Sequence, residues 1–390
     1  MTDTLLVLIL LAVSAACGWY LGRQNTIRTT GKRLSRMSTT YFRGLNYLLN
    51  EQPDKAIELF LQIARADRNT IETQIALGHL FRSRGEVERA IRLHQGLVSR
   101  TDISDADKIV ALLELGEDYM RAGLLDRAET LFTDLVRLDE QQEKALRHLL
   151  AIYQFERDWP KSIEFARRVE QVSGESCAGL IAQLHCEMAE QARRSGDGTS
   201  ARELLLQAAQ ADPNSSRAGM LLAQIEAADG NPTAAIRLYE RVARNDTDFL
   251  PEVISPLLAC YELCGDHARM RAFLAEMLER HDGVAPVLAM ARLIERDEGC
   301  DAALEFLGKN VRERPSIAAQ AALIALAQQA TDGPARTVLE VLAVSTDDLL
   351  KRAPGYRCNR CGFGARSHHW QCPSCRVWGS VMPVQSAAMK

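Results

Sequence analysis

The chain has 390 residues, of which 47% are hydrophobic and 25% are charged, and this balance excludes a mostly disordered protein. The net charge of −4 excludes nucleic-acid binding driven by the charge of the whole molecule. Only 6% of the residues are aromatic, and long β-branched runs are scarce, so the composition favours helices. The length predicts two or three modules, or one elongated array.

The N-terminal segment contains an uncharged apolar run from Leu5 to Leu21. As a helix, this run would span about 26 Å at about 1.5 Å per residue, near the short end of what crosses a bilayer. No basic residue precedes it, and Ser14 stands where a lipoprotein signal would have leucine. We therefore predict an uncleaved transmembrane anchor over residues 1–22 rather than a cleaved signal peptide.

The segment that follows the anchor, residues 23–40, is basic, and no Asp or Glu occurs between Thr4 and Asn50. Because positively charged flanks stay in the cytoplasm, we expect the N-terminus outside and the rest of the chain on the cytoplasmic side of the membrane. The basic residues either also contact anionic lipid headgroups or only set this topology.

A repeat with a period near 34 residues runs over residues 41–315. Each repeat begins with a small or apolar residue, has another small residue twelve positions later and a larger one sixteen positions later. A Gly often stands seven positions after the start, where a left-handed backbone would end the first helix. The period is typical of the tetratricopeptide repeat, a helix–turn–helix. The segments LGHLFRSRGEVERAIRLH and LGEDYMRAGLLDRAETLF match it best, and the starting residues are Gly44, Gly78, Gly116, Leu150, Ala189, Ala223, Leu258 and Ala291.

About eight such repeats predict an all-α superhelical solenoid, because each helix pair leaves an apolar face that only its neighbour can cover. The starting residue and the one twelve positions later are expected to face each other, so that the two helices approach closely. Residues 316–352 are predicted to form capping helices. A solenoid offers a protein-binding surface, and the repeats contain no catalytic motif, so we predict that the protein is not an enzyme.

Isolated histidines and cysteines in the repeats are weak candidates for ligands. The histidines are predicted to be surface or satisfied core residues. Cys260 and Cys264 are one helical turn apart, a spacing that would let them share a metal, but buried thiols are the simpler interpretation for all the cysteines of the repeats. These residues are His79, His94, His148 and His185, and Cys177, Cys186, Cys260, Cys264 and Cys300.

The strongest chemical signal lies in residues 354–380, where two CxxC pairs are separated by ten residues. Each pair forms a tight knuckle, and two knuckles close a tetrahedral four-thiolate site with no open position for catalysis. We predict one zinc ion, with iron as in rubredoxin as the alternative; a reducing cytosol disfavours disulfides. So small a module needs a metal to fold, and structural zinc supplies an apparent ~10–16 kcal/mol. The predicted ligands are Cys358, Cys361, Cys372 and Cys375.

The surroundings of this ribbon are basic, since residues 351–390 contain seven Lys or Arg and no acid. Ribbons that bind nucleic acid have such a charge, as do modules that dock on acidic protein or anionic lipid. His368 and His369 are predicted to be exposed loop residues rather than ligands, and residues 381–390 to be disordered. Only Arg352–Gly355 separate the capping helices from the ribbon, so we predict that the ribbon packs back on the solenoid.

The order of anchor, basic segment, tetratricopeptide repeats and four-cysteine ribbon resembles the lipopolysaccharide assembly protein B family of Gram-negative bacteria. The most specific segments are YFRGLNYLLNEQPDKAIELF near the start and YRCNRCGF with WQCPSC near the end. The resemblance covers nearly the whole chain, and the family's ribbon cysteines correspond to the four predicted ligands.

The resemblance implies a single-pass inner-membrane adaptor for regulated proteolysis, with its N-terminus in the periplasm. Such an adaptor brings the cytosolic deacetylase that commits precursors to lipid A to the membrane protease FtsH, and a further inner-membrane regulator protein restrains it. A general scaffold for lipopolysaccharide assembly and export proteins is the alternative. An electron-transfer protein and a nucleic-acid ribbon are the less favoured classes. Binding of lipopolysaccharide or its precursors, and homo-oligomer formation, stay open.

Overall fold

The computed structural model describes residues 43–44, 46–47, 52–66, 71–138 and 142–384. The predicted anchor (1–22), the basic segment (23–40) and most of the C-terminal tail lie outside the described residues, so the expectations about them remain predictions. Among the helices of the described part, none is both long and apolar enough to cross a membrane.

The described residues form a mostly helical array that ends in a small antiparallel sheet, which confirms the predicted fold class. A short 3-10 helix, Thr247–Phe249, precedes the twelfth helix. The helices are α1 (Pro53–Ala66), α2 (Ile71–Ser83), α3 (Val87–Val98), α4 (Asp105–Arg121), α5 (Leu125–Arg137), α6 (Gln142–Glu156), α7 (Trp159–Ser173), α8 (Ala178–Arg194), α9 (Gly198–Ala211), α10 (Ser216–Ala228), α11 (Pro232–Asn245), α12 (Leu250–Cys264), α13 (His267–Arg280), α14 (Val284–Glu298), α15 (Cys300–Glu313), α16 (Ile317–Ala330) and α17 (Pro334–Arg352).

Glycines end the first helix of several pairs, as the repeat pattern predicts. Gly123 has φ +76°, its N–H donates to Met120 O, and the next N–H, that of Leu124, donates to Tyr119 O. These bonds satisfy carbonyls at the end of α4 and turn the chain into α5. The repeat that starts at Leu150 has no glycine at this place, and Arg157 adopts φ +59° instead.

A glycine at the start of a repeat allows close approach of the paired helices. A Cβ added to Gly116 would lie 2.6 Å from the ring of Phe132, sixteen positions later. The residue twelve positions later, Ala128, is fully buried, but the nearest side chain to the glycine is that of Phe132 rather than that of Ala128. The prediction of close approach is therefore confirmed, and the large residue sixteen positions later fills the space beside the glycine.

The chain divides within α7 into two compact units, and each is described by itself. The first unit runs to Lys161 with Gln171–Ser173, and the second comprises Ser162–Glu170 and the residues from Gly174 onward. Buried apolar side chains from successive helices fill both units, and the largest core cluster of the second unit is centred on α11 to α14. Helices α16 and α17 lie in the segment predicted to cap the array.

The C-terminal ribbon is a three-stranded antiparallel sheet with the order β2-β1-β3. Its strands are β1 (Tyr356–Cys358), β2 (Gly364–Ala365) and β3 (Val381–Pro383). The predicted disorder from residue 381 was wrong for β3, because Val381 pairs with Cys358 and is fully buried in the ribbon core. Residues 385–390 lie outside the described residues.

Candidate metal centre and its docking on the repeats

The four ribbon cysteines converge on one point. All four Sγ atoms lie within 4.8 Å of one another, with 3.7 Å between Cys358 and Cys375 and between Cys361 and Cys372. A tetrahedral metal with metal–sulfur bonds of about 2.3 Å needs sulfur–sulfur distances of about 3.8 Å, whereas a disulfide needs about 2.05 Å. The cluster therefore fits a tetrahedral metal and is too wide for two disulfides.

Two matching turns shape the site. In the first knuckle, Gly362 follows the second cysteine and has φ +77°, and its N–H donates to Cys358 O. In the second knuckle, Arg376 holds the equivalent place with φ +58°, and its N–H donates to Cys372 O. Each turn directs backbone N–H groups toward sulfur, such as that of Arg360, which lies 3.4 Å from Cys358 Sγ.

The surroundings favour thiolates over thiols at part of the cluster. The Ser380 hydroxyl beside Cys358 lowers the pKa of that thiol to about 6, and the backbone N–H of Phe363 lowers the pKa of Cys361. At Cys375 a backbone N–H also lowers the pKa, but burial and the three neighbouring sulfurs outweigh it and raise that pKa to about 11. Four thiolates this close repel one another, so a bound cation is what would keep all of them deprotonated.

Four soft sulfur donors at tetrahedral spacing constitute a rubredoxin-like metal-binding site. Zinc and iron take the same geometry, so this donor set does not choose between them. Cys358 and Cys372 are buried, Cys375 is half-buried and Cys361 is exposed, so a bound ion would lie near the surface of the ribbon. In the described part of the chain, no other group of three or more His, Cys, Asp or Glu side chains is placed to hold a metal.

The two ribbon histidines lie outside the four-cysteine cluster, and the prediction that they are exposed was wrong, because both are half-buried. His368 is half-buried, and its Nε2 lies 3.1 Å from Val381 O. Its ring makes edge contacts with Phe249 and Trp370, at 5.4 and 4.4 Å between ring centroids. Burial lowers the pKa of His368, which favours the neutral ring. The His368 ring belongs to an interface, which a short loop sequence does not reveal.

This interface joins the ribbon to the repeats within the second unit, and the predicted packing of the ribbon against the solenoid is confirmed. Trp370 stacks on Phe249 of the 3-10 helix, with 5.2 Å between ring centroids and 22° between planes. The Tyr356 hydroxyl donates to the Glu252 carboxylate at the start of α12. Burial raises the pKa of Tyr356, so its hydroxyl keeps the proton that it donates.

A buried arginine lies under the same tryptophan. Arg217 on α10 is only 1% exposed, and its guanidinium carbon lies 5.3 Å from the centre of the Trp370 ring. Its Nη2 atom contacts Glu187 at 2.7 Å and Glu190 at 3.2 Å, both on α8. A buried charge needs such partners, and the aromatic face adds a cation–π attraction. Arg217 thus links two repeat helices to the ribbon.

The other sequence candidates are placed elsewhere. His94 is fully buried, with Nδ1 2.6 Å from Asp118, while its Nε2 has no hydrogen-bond partner, so the prediction of a satisfied core histidine holds for one ring nitrogen only. His185 is also buried and its Nδ1 has no hydrogen-bond partner, whereas His79 and His148 pair with acidic side chains. Cys186 and Cys260 are buried thiols as predicted, Cys177 and Cys300 are half-buried, and Cys264 is exposed, against expectation.

Comparison with known proteins finds matches to the same two modules, the repeats and the ribbon. Residues 356–383 match the family described as Rubredoxin metal binding domain, and residues 186–248 and 75–107 match the Tetratricopeptide repeat. Lipopolysaccharide assembly protein B of Escherichia coli K12 is 36% identical over 97% of this chain and 98% of its own length. The chain belongs to the lipopolysaccharide assembly protein B family. The Haemophilus influenzae protein of the same name is 33% identical over 98% of both chains.

Membership of the lipopolysaccharide assembly protein B family agrees with the geometry at both ends of the interface. The ribbon match contains the four cysteines and also β3, and the repeat match at 186–248 contains Arg217.

Among solved structures, the C-terminal part of a TPR repeat-containing protein from Cytophaga hutchinsonii aligns with a TM-score of 0.44 and 14% identity, covering 61% of this chain and 94% of that chain.

Proposed function

We propose that this chain is an inner-membrane adaptor that limits lipopolysaccharide synthesis by presenting the committed-step lipid A deacetylase to the membrane protease FtsH. In this proposal, residues 1–22 anchor the chain with the N-terminus in the periplasm, and the repeats and ribbon lie on the cytoplasmic side. A further inner-membrane protein would restrain the adaptor. The observation that carries the proposal is near full-length similarity to relatives named for lipopolysaccharide assembly.

The mechanism is one of proximity. A substrate tethered near a protease is presented at a high effective concentration, without any bond chemistry by the tether. Helix pairs that stack into an array supply a large surface for a folded partner. This role requires rigid binding surfaces rather than a reactive centre.

The ribbon would contribute rigidity. A zinc ion held by Cys358, Cys361, Cys372 and Cys375 would supply the folding free energy that so small a module lacks. Trp370 and Tyr356 would then hold the folded ribbon on Phe249 and Glu252. The ribbon face and the repeat face would thereby present one continuous surface to the deacetylase.

A general scaffold that bridges lipopolysaccharide assembly and export proteins is the second candidate. It is supported by the same family name and by the extent of the array, which has room for more than one partner. The two candidates differ in one observable: an adaptor changes the lifetime of the deacetylase, whereas a scaffold changes where its partners reside and leaves their lifetime unaltered.

The deciding experiment is depletion of the protein followed by a pulse-chase measurement of the deacetylase half-life. We expect the half-life to lengthen several-fold and to return to normal when the intact chain is restored. A chain with Cys358→Ser and Cys361→Ser should keep its helical circular dichroism and fail to restore turnover. An unchanged half-life after depletion would reject the adaptor and favour the scaffold.

A further inference from the structure

Ser380 places a buried hydroxyl group beside one sulfur of the four-cysteine cluster. Both Ser380 and Cys358 are only 2% exposed, and the Ser380 Oγ lies 3.4 Å from the Cys358 Sγ. A buried sulfur receives no hydrogen bonds from bulk water, so the donors that the protein supplies decide how well its negative charge is stabilised. The N–H of Arg360 is one such donor, also at 3.4 Å. Ser380 is therefore placed to act on the metal site without being a ligand.

The backbone around Ser380 fixes the position of this hydroxyl. The Ser380 carbonyl accepts from the Asn359 N–H at 2.8 Å, and the preceding Gly379 N–H donates to Trp370 O at 2.7 Å. The following residue, Val381, pairs with β1 in the sheet. Because hydrogen bonds hold the chain on both sides, the Ser380 side chain is kept beside the sulfur before any metal binds.

The hydroxyl has two acceptors within reach, and the state of Cys358 decides between them. In the thiol form, Cys358 Sγ donates to Ser380 Oγ, while the Ser380 hydroxyl donates to Val377 O at 2.9 Å. A sulfur that binds a metal is a thiolate, which has no proton and only accepts hydrogen bonds. The lone pairs of sulfur and oxygen would then face each other, unless the hydroxyl turns its hydrogen toward the sulfur.

This turn leaves no backbone group without a partner. Val377 O also accepts from the Cys372 N–H at 3.0 Å, so it keeps a hydrogen bond when the hydroxyl turns away. The hydroxyl hydrogen only rotates about the Cβ–Oγ bond, and no heavy atom has to move. A hydrogen bond to a charged acceptor is stronger than one to a neutral carbonyl. The turn is therefore favourable once Cys358 binds a metal.

We infer that Ser380 is a positioning residue of the metal site, whose hydroxyl donates to the metal-bound thiolate of Cys358 and strengthens metal binding. Hydrogen-bond partners of metal ligands typically change metal affinity by about 10- to 100-fold. Ser380 immediately precedes β3, so the same hydrogen bond ties the start of this strand to the first knuckle.

Competition for Zn²⁺ between a chromophoric chelator and the intact chain in a mild detergent tests this role. Ser380→Ala should lower the affinity for Zn²⁺ by about 10- to 100-fold, while saturating Zn²⁺ still gives one ion per chain. Ser374→Ala is the matched control, because Ser374 lies between the cysteines of the second knuckle and is exposed. It should leave the affinity unchanged.

The absorption spectrum of the Co²⁺-loaded chain separates a lost hydrogen bond from a general loosening of the ribbon. The thiolate-to-Co²⁺ charge-transfer band depends on the energy of the sulfur electrons, which rises when a hydrogen bond to the sulfur is lost. The band of Ser380→Ala should therefore lie at longer wavelength than that of the wild type. The band of Ser374→Ala should not move.

An unchanged Zn²⁺ affinity in Ser380→Ala would overturn the inference, as would a wild-type chain that takes up neither ion. A lower affinity with an unmoved Co²⁺ band would also contradict it, because the serine would then act through packing of the ribbon rather than through the Cys358 sulfur. An equal loss of affinity in Ser374→Ala would lead to the same conclusion.

Discussion

At the level of single residues, the first unit buries several charged side chains that neutralise one another. Arg82 on α2 contacts Glu114, Glu117 and Asp118 on α4, each at 2.8 Å. The Asp118 side chain is fully buried, and its second oxygen lies 2.6 Å from His94 Nδ1. Removing one member of such a set leaves another charge unpaired in a poorly solvated place, which costs more than the pair contributes.

The carboxyl of Glu114 makes the stability of this unit sensitive to acid. Burial alone would raise its pKa, but hydrogen bonds with His79 and Arg82 outweigh burial and lower the pKa from 4.5 to about 2. Because the folded state holds the proton less tightly than the unfolded state, the stabilisation is complete above pH 4.5 and is lost as the pH falls toward 2. The loss should amount to roughly 3 kcal/mol at most.

Urea unfolding followed by circular dichroism at pH 7, 4.5 and 3 measures this dependence. Glu114→Gln should be less stable than the wild type at pH 7, and the gap should be nearly the same at pH 4.5 and much smaller at pH 3. A gap that stays constant across these pH values would mean that the Glu114 carboxylate is not the titrating group.

Arg217 illustrates which residues sequence reasoning could not place. Its guanidinium lies against the ring of Trp370, which is more than 150 residues later in the chain. Arg217 stands near the start of α10, and the local sequence there predicts a side chain exposed to solvent. The available signal was the aromatic residues between the two CxxC pairs, since a module with so small a core cannot bury these rings by itself, and they pack on another surface.

At the level of helix pairs, the sequence pattern was strong because it reflects local geometry. Small residues at the starting positions and glycines seven positions later follow from close helix approach and from the left-handed turn, and both are visible within one repeat. The same local reasoning located the ribbon from the spacing of its cysteines. It failed for β3, since that strand forms only by pairing with β1, more than twenty residues earlier.

The turn at Arg157 offers a way to stabilise the first unit. Arg157 has φ +59° and an exposed side chain, and a side chain in this region costs about 1 kcal/mol relative to glycine. Its N–H donates to Gln154 O, and the Asp158 N–H donates to Tyr153 O, as in the glycine turns. Arg157→Gly should therefore raise the free energy of unfolding by about 0.5 to 1 kcal/mol.

The reciprocal substitution Gly123→Ala provides the comparison, and it should lower stability by about 1 kcal/mol because Gly123 has φ +76°. Thermal unfolding of both variants and the wild type shows in one experiment whether each substitution raises or lowers the stability. A destabilised Arg157→Gly protein would show that the arginine side chain makes a contact worth more than the backbone strain.

For the molecule as a whole, the ribbon and the repeats of the second unit depend on each other. The ribbon has a core of a few residues, among them Cys358, Cys372 and Val381, so its structure should require the metal. Its Trp370 and Met382 in turn pack against the core cluster of α11 to α14. Metal binding, ribbon folding and coverage of this part of the repeats are therefore coupled steps.

Trp370→Ala separates docking from metal binding. Loss of the stack on Phe249 and of the contact with Arg217 should weaken docking by about 2 to 4 kcal/mol, while the four cysteines remain in place. We expect the purified variant to hold one metal ion per chain and to show faster hydrogen exchange in β1 and β3. Under the proposed adaptor function, the variant should also prolong the half-life of the deacetylase in cells. Trp370→Phe should restore normal exchange and turnover, because its ring can still stack. Fast exchange with normal turnover would mean that the proposed adaptor needs the ribbon but not its fixed position, whereas slow exchange in Trp370→Ala would show that the remaining contacts, those of Tyr356, His368 and Met382, hold the ribbon in place.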